Sequence, residues 1–162
     1  MSPTRIRTKP AEAETFSPWP LVLCVDDDPA VLSSLRRLLR EEPYDVETSD
    51  SVAGGLELIR RRTPAVIISD ERMPEANGSE FLAAVRGRWP WIGRILLTAF
   101  PGPDIQIRSL RAGVDLLLYK PWDGDSLKKV LRRLLHEVDR AGRGGISGAA
   151  EDDPFDVGGE GG

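Results

Sequence analysis

Apolar residues fall in two alternating patterns along the chain. Short continuous runs read as strands covered on both faces, and runs with apolar residues three and four apart read as helices. Leu21 to Val25 is the first strand run, followed after Pro29 by Val31, Leu32, Leu35, Leu38 and Leu39 at helical spacing. Tyr44 to Thr48 is a weaker strand. Val52, Leu56 and Ile59 mark a second helix ending in Arg60-Arg61-Arg62, cations suited to a helix C-terminus. Ala65 to Ser69, opened by Pro64 and ended at Asp70, is the clearest central strand. A loop through Met73-Pro74 and Gly78 leads to a helix with Phe81, Leu82 and Val85. Arg94 to Thr98 is the fourth strand, Ile105 to Ala112 the fourth helix, closed by Gly113, and Asp115 to Tyr119 the fifth strand. Leu127, Val130, Leu131, Leu134, Leu135 and Val138 define a last helix.

Five strand–helix alternations imply right-handed crossovers and a parallel sheet with helices on both faces. In such sheets chemistry gathers at the carboxyl ends of the strands, near the switch in strand order. The polar outliers stand there. The first strand ends in Asp26-Asp27-Asp28, the third in Asp70, the fourth in Thr98 and the fifth in Lys120. Several carboxylates in one pocket repel one another, so the group either raises a pKa or recruits a cation. A small hard cation that takes oxygen ligands and binds phosphate oxygens suits them, and Mg²⁺ is that cation. A hydroxyl and an ammonium opposite would serve an oxyanion, which makes the set a site for a phosphoryl group. Each member alone has a plainer reading. Asp-Asp-Asp-Pro can cap a helix, Asp70 can sit in a loop, Thr98 can end a strand and Lys120 can be solvated. Four such groups, of the right chemical types and each at a strand end, carry the signal together.

Composition narrows the picture further. The 162 residues fit one domain with tails, and the net charge of −4 predicts no direct nucleic-acid binding through overall charge. Residues 1–19 are polar and read as a disordered extension. Residues 141–162 are Gly-rich and set Arg143 against five carboxylates from Glu151 to Glu160, so they read as a disordered acidic tail. Residues 20–140 form the folded domain. No run is long enough to span a bilayer. Cys24, the single cysteine, lies in an apolar strand and can form no internal disulfide, which makes cytoplasmic residence the expectation. His136, the single histidine, has no partner for a metal and reads as a solvated helix residue.

Val25-Asp26-Asp27-Asp28-Pro29, Ile67-Ile68-Ser69-Asp70-Glu71-Arg72-Met73-Pro74, Asn77-Gly78, Thr98-Ala99 and Tyr119-Lys120-Pro121-Trp122 resemble, in order and spacing, the signatures of response regulator receiver domains of bacterial two-component systems. The resemblance covers about residues 20–140. It implies the flavodoxin-like doubly wound (βα)5 fold, an α/β architecture with a five-stranded parallel sheet in the order 2-1-3-4-5. It also implies a signalling phosphoacceptor, not an enzyme with turnover, that takes a phosphoryl group on Asp70 from a histidine kinase or phosphotransfer protein. Asp27, the Asp70 carboxylate and the Arg72 backbone carbonyl would hold Mg²⁺ (or Mn²⁺), with Asp26 acting through water. Lys120 and Thr98 would contact the phosphoryl group, and Lys120-Pro121 resembles the family's cis peptide. Ala99, Phe100 and Leu117 flank the site, and Asp28 matches no family ligand. The family pattern carries an aromatic three residues before the lysine. Here that position is Leu117, and Tyr119 is expected on the opposite face of its strand. Phe100 and Arg72 are expected to obstruct attacking water, giving slow self-dephosphorylation. Partners implied are the kinase and a downstream target or output domain, without a membrane. The resemblance also allows a homodimer through the fourth helix, fifth strand and fifth helix, and the Lys128, Lys129, Arg132, Arg133 face reads either as a partner contact or as a solvated surface.

Two rivals share parts of this chemistry. An aspartyl-phosphate hydrolase or mutase needs an acid/base close after its nucleophile, which Glu71-Arg72-Met73-Pro74 does not supply in the usual arrangement. A flavin-binding protein of the same fold needs a Ser/Thr/Gly-rich phosphate loop where this chain has three aspartates.

Overall fold

The computed structural model describes residues 17–145, with side-chain surroundings described through residue 140. Five strands alternate with five helices: β1 (Leu21–Val25), α1 (Pro29–Leu39), β2 (Asp45–Ser49), α2 (Val52–Arg61), β3 (Val66–Asp70), α3 (Gly78–Arg88), β4 (Gly93–Thr98), α4 (Pro103–Ala112), β5 (Leu116–Tyr119) and α5 (Gly124–Gly145). All pair in parallel, in the order β2-β1-β3-β4-β5. The flavodoxin-like arrangement is the one expected, with strand bounds differing by a residue or so. α5 runs to residue 145, beyond the boundary expected at 140. The expectations for residues 1–16 and 146–162 lie outside the described residues. Within the expected N-terminal extension, the carbonyl of Trp19 accepts a hydrogen bond from Arg62 of the α2 terminus, so the folded part begins slightly before β1.

Strand alternation divides the core. Val22 and Cys24 of β1, Val66 and Ile68 of β3, and Ile95 and Leu97 of β4 pack against α1 and α5. Leu23, Val25, Ile67 and Leu96 face α2, α3 and α4 on the other side. Successive side chains point to opposite faces, so a strand covered on both must be apolar at every position. Each fully buried Leu or Ile contributes about 1.5–3 kcal/mol relative to exposure. The helices start and stop where the sequence marks them. Asp28 caps α1 by accepting the Ala30 N–H at 2.9 Å, ahead of Pro29 in the first turn. Gly113 ends α4 at φ 68°, in the left-handed region that favours glycine. No helix among the described residues is long and apolar enough to cross a membrane.

Two expectations change. Residues 117 and 119 are two apart in a strand and share a face. Leu117 packs against the cluster under α3 and α4, and the Tyr119 hydroxyl accepts a bond from Gln106 of α4 at 3.4 Å. Tyr119 therefore does not point away from Leu117. The basic face of α5 is partly engaged: Arg132 grips both carboxylate oxygens of Glu42, at 2.9 and 3.2 Å, and Lys128 lies 4.0 Å from the same group. Lys129 and Arg133 remain exposed.

Candidate functional site

The three aspartates after β1 meet three fates, because the chain turns sharply where the strand ends. Asp26 still pairs through its N–H with the Ser49 carbonyl and is buried, with only 2% exposure. Its Oδ1 accepts the Asp28 N–H at 2.9 Å and its Oδ2 faces Lys120. Asp27 is exposed, and Asp28 is spent on the helix cap. Asp70 ends β3, its side chain almost covered. The return of the loop at α3 comes so close that a Cβ on Gly78 would lie 2.0 Å from the Asp70 carbonyl oxygen, so only glycine fits there.

From the other half of the sheet come the hydroxyl and the ammonium. Thr98 ends β4 and is 2% exposed, and its Oγ1 accepts the Phe100 N–H at 3.2 Å, which leaves its own proton to donate elsewhere. Lys120 continues past β5 by donating its N–H to the Thr98 carbonyl at 2.8 Å, ahead of a cis bond to Pro121. Its Nζ sits between two carboxylates, 2.7 Å from Asp70 Oδ1 and 3.1 Å from Asp26 Oδ2. Burial pulls the Lys120 pKa down, but hydrogen bonds and charge from Asp70 and Asp26 outweigh it, and the net shift is upward. Burial likewise pushes the Asp26 carboxyl above its ordinary range, and the Asp70 charge adds to that against the Asp28 N–H and Lys120.

One oxygen from each of Asp26, Asp27 and Asp70 lies within 4.8 Å of the others. The Lys120 ammonium pairs with two of these three carboxylates, and the third, Asp27, is open to solvent. Hard oxygen donors with excess negative charge fit a small divalent cation. Arg72 and Phe100, two residues beyond Asp70 and Thr98, are both exposed, with the Arg72 guanidinium stacked 3.7 Å from the Phe100 ring centroid. They line a pocket beside Thr98 together with Glu71, Asp104 and Arg108. Ala99 is exposed and Leu117 half-buried.

The structure thus brings Asp26, Asp27, Asp70, Thr98 and Lys120 together from the ends of β1, β3, β4 and β5. The sequence reading missed the buried carboxylate of Glu71, which bonds Ser79 and faces Arg108. Its partners depend on the path of the loop, so a local pattern holds no signal for it.

Residues 22–132 match the family model described as the response regulator receiver domain. Among curated proteins, the hydrogenase transcriptional regulatory protein HoxA of Cupriavidus necator is 38% identical over 69% of this chain and 23% of its own length. The alginate biosynthesis transcriptional regulatory protein AlgB of Pseudomonas putida is 34% identical over 66% of this chain and 24% of its own. The chain therefore spans about a quarter of the length of those two relatives. Among solved structures, the signal receiver domain of an HD domain-containing protein from Pseudomonas fluorescens superposes with a TM-score of 0.74 at 28% identity, covering 80% of this chain and 96% of that one.

Proposed function

The chain belongs to the response regulator receiver domains, and from that premise we propose that Asp70 is the acceptor of a phosphoryl group from a partner histidine kinase or phosphotransfer protein. The observation that carries the reading is the Lys120 ammonium held 2.7 Å from Asp70 and 3.1 Å from Asp26 at the ends of three strands. An Asp70 oxygen attacks phosphorus in line as the phosphorus–nitrogen bond to the donor imidazole breaks, and the imidazole leaves with the bonding electron pair. Asp27, Asp70 and the Arg72 carbonyl would hold Mg²⁺ (or Mn²⁺), with Asp26 acting through water, and the bound cation would neutralise charge on the phosphoryl oxygens. Lys120 is already oriented, so its ammonium passes from the carboxylate to a phosphoryl oxygen without leaving the pocket. Thr98 offers its free hydroxyl proton to another.

This chemistry is that of a signalling phosphoacceptor, not an enzyme with turnover, and it suits a protein acting in the cytoplasm. Output would follow from a shift of the α4, β5 and α5 surface toward a downstream target or output domain. A receiver dimer solved for the beryllofluoride-activated NtrC4 domain, 25% identical to this chain with a TM-score of 0.68 over 73% of this chain and 98% of that one, supports self-association as one form of that output.

Incubating the protein with a small phosphodonor and Mg²⁺ is expected to add one phosphoryl group, read by intact mass, and Asp70→Asn is expected to take none. Normal labelling of the variant would sink the assignment.

A further inference from the structure

Glu71 follows the phosphoacceptor directly and is only 5% exposed, a place where a carboxylate needs partners. Its main chain is fixed on both sides. The N–H donates to the Leu97 carbonyl at 2.9 Å, continuing the β3–β4 pairing by one residue, and its own carbonyl accepts the Gly78 N–H at 2.9 Å. The carboxylate accepts two further bonds from Ser79, one from the N–H and one from the hydroxyl, each 2.9 Å. Asn77, at the N-cap position of α3, makes no side-chain capping bond. Glu71 caps the helix in its place, from the strand side, where negative charge meets the positive end of the helix dipole. A third contact comes from α4: the half-exposed guanidinium of Arg108 lies 3.6 Å from Glu71 Oε1.

The loop that these bonds close contains Arg72. The bond from Gly78 fixes the peptide plane between Glu71 and Arg72, which restricts where the next carbonyl, that of Arg72, can lie. We infer that Glu71 is a positioning residue, which fixes the Arg72 main chain beside the aspartate cluster and ties that placement to α4 through Arg108. The inference rests on the reading of Asp70 and its neighbours as a cation-assisted phosphoacceptor site.

The test is the Mg²⁺ dissociation constant, taken by titration calorimetry without phosphodonor, beside the melting temperature of each variant. Glu71→Leu is expected to weaken Mg²⁺ binding about tenfold, the scale of losing a group that orients a metal ligand. Glu71→Gln keeps an oxygen for the Ser79 N–H and is expected to restore most of the affinity. Should Glu71→Leu fail to fold, Ser79→Ala removes one of the two bonds from a folded protein, and about a threefold weakening is expected. Arg108→Ala is expected to weaken binding measurably, although Arg108 touches none of the clustered aspartates. A Glu71→Leu or Ser79→Ala protein that melts lower yet binds Mg²⁺ like the parent would reduce Glu71 to a helix cap and overturn the inference. An unchanged constant in Arg108→Ala would overturn its link to α4. A parent protein that binds no Mg²⁺ would instead condemn the reading of the site itself, a failure visible before any variant is made.

Discussion

β3 is buried at every residue from Val66 to Asp70, whereas β5 is half-exposed along Leu116–Leu118 and open at Tyr119. β3 is paired on both edges, by β1 and β4, and β5 on one. The helices beside them differ in the same sense. Leu127 and Leu131 of α5 are fully buried, whereas α4 shows Ile107 at 47% and Leu110 at 78% exposure and starts at Gly102 without a side-chain cap. Asp26 and Asp70 are thus mounted on strands that cannot shift without breaking two ladders. Thr98 and Lys120 reach them from the side nearer the looser rim. Reactive carboxylates need fixed geometry, and a surface that reports their state needs small barriers between arrangements.

The contrast is open to measurement. Ile67→Ala, in the fully buried centre, is expected to cost about 2–5 kcal/mol in denaturant unfolding, against under about 0.5 kcal/mol for Leu110→Ala on the rim. Similar losses at both positions would break the comparison. At the site itself, Mg²⁺ at about a hundred times its dissociation constant should add roughly 2.7 kcal/mol of stability by binding the native state alone. Asp27→Ala is expected to lose most of that shift in a melting experiment while folding normally, because Asp27 is exposed.

A smaller effect is expected at the flanking stack. An in-line water must approach phosphorus within about 3 Å, and the Phe100 ring with Arg72 above it offers no acceptor to orient that water. Phe100→Ala is expected to hydrolyse its phosphoryl group faster by up to about tenfold, a barrier change near 1.4 kcal/mol. Hydrolysis no faster than the parent's would remove the obstruction argument. The smallest expected signal is at Cys24, fully buried in β1, where desolvation pushes the thiol up to about 12. A thiol reagent at pH 8 is expected to leave it unmodified until denaturant is added, and rapid native labelling would show that the centre opens as readily as the rim.

Much of this was legible beforehand, for a physical reason. Strands covered on both faces are apolar throughout, so Ile67-Ile68-Ser69 announces a central strand and the aspartate after it stands out. Alternation with helices puts the carboxyl ends of parallel strands on one edge, and the resemblance supplies the order that sets β1, β3, β4 and β5 side by side. Contacts set by the chain's path through space were not legible. The Arg132–Glu42 pair joins residues far apart in sequence, and Glu71 finds Ser79 only because the loop returns on itself. The orientation of Tyr119 was within reach of strand periodicity, since residues two apart share a face, and was misjudged. The end of α5 was obscured by glycines, which weaken a helix without forbidding one.

The strand order has a last consequence. β3 and β4 are neighbours in both sequence and space, and the connection through α3 is the only covalent link between the half that holds Asp26 and Asp70 and the half that holds Thr98 and Lys120. A cut in the exposed turn around Trp91 would divide the molecule into two pieces, one bearing the carboxylates and the other their counter-ion, each with a raw sheet edge. The first would keep the candidate cation ligands without Thr98 and Lys120, so neither fragment would own the complete site. Reassembly along the β3–β4 seam would recreate it whole, which makes this fold a natural candidate for a split protein whose chemistry exists only in the complemented pair.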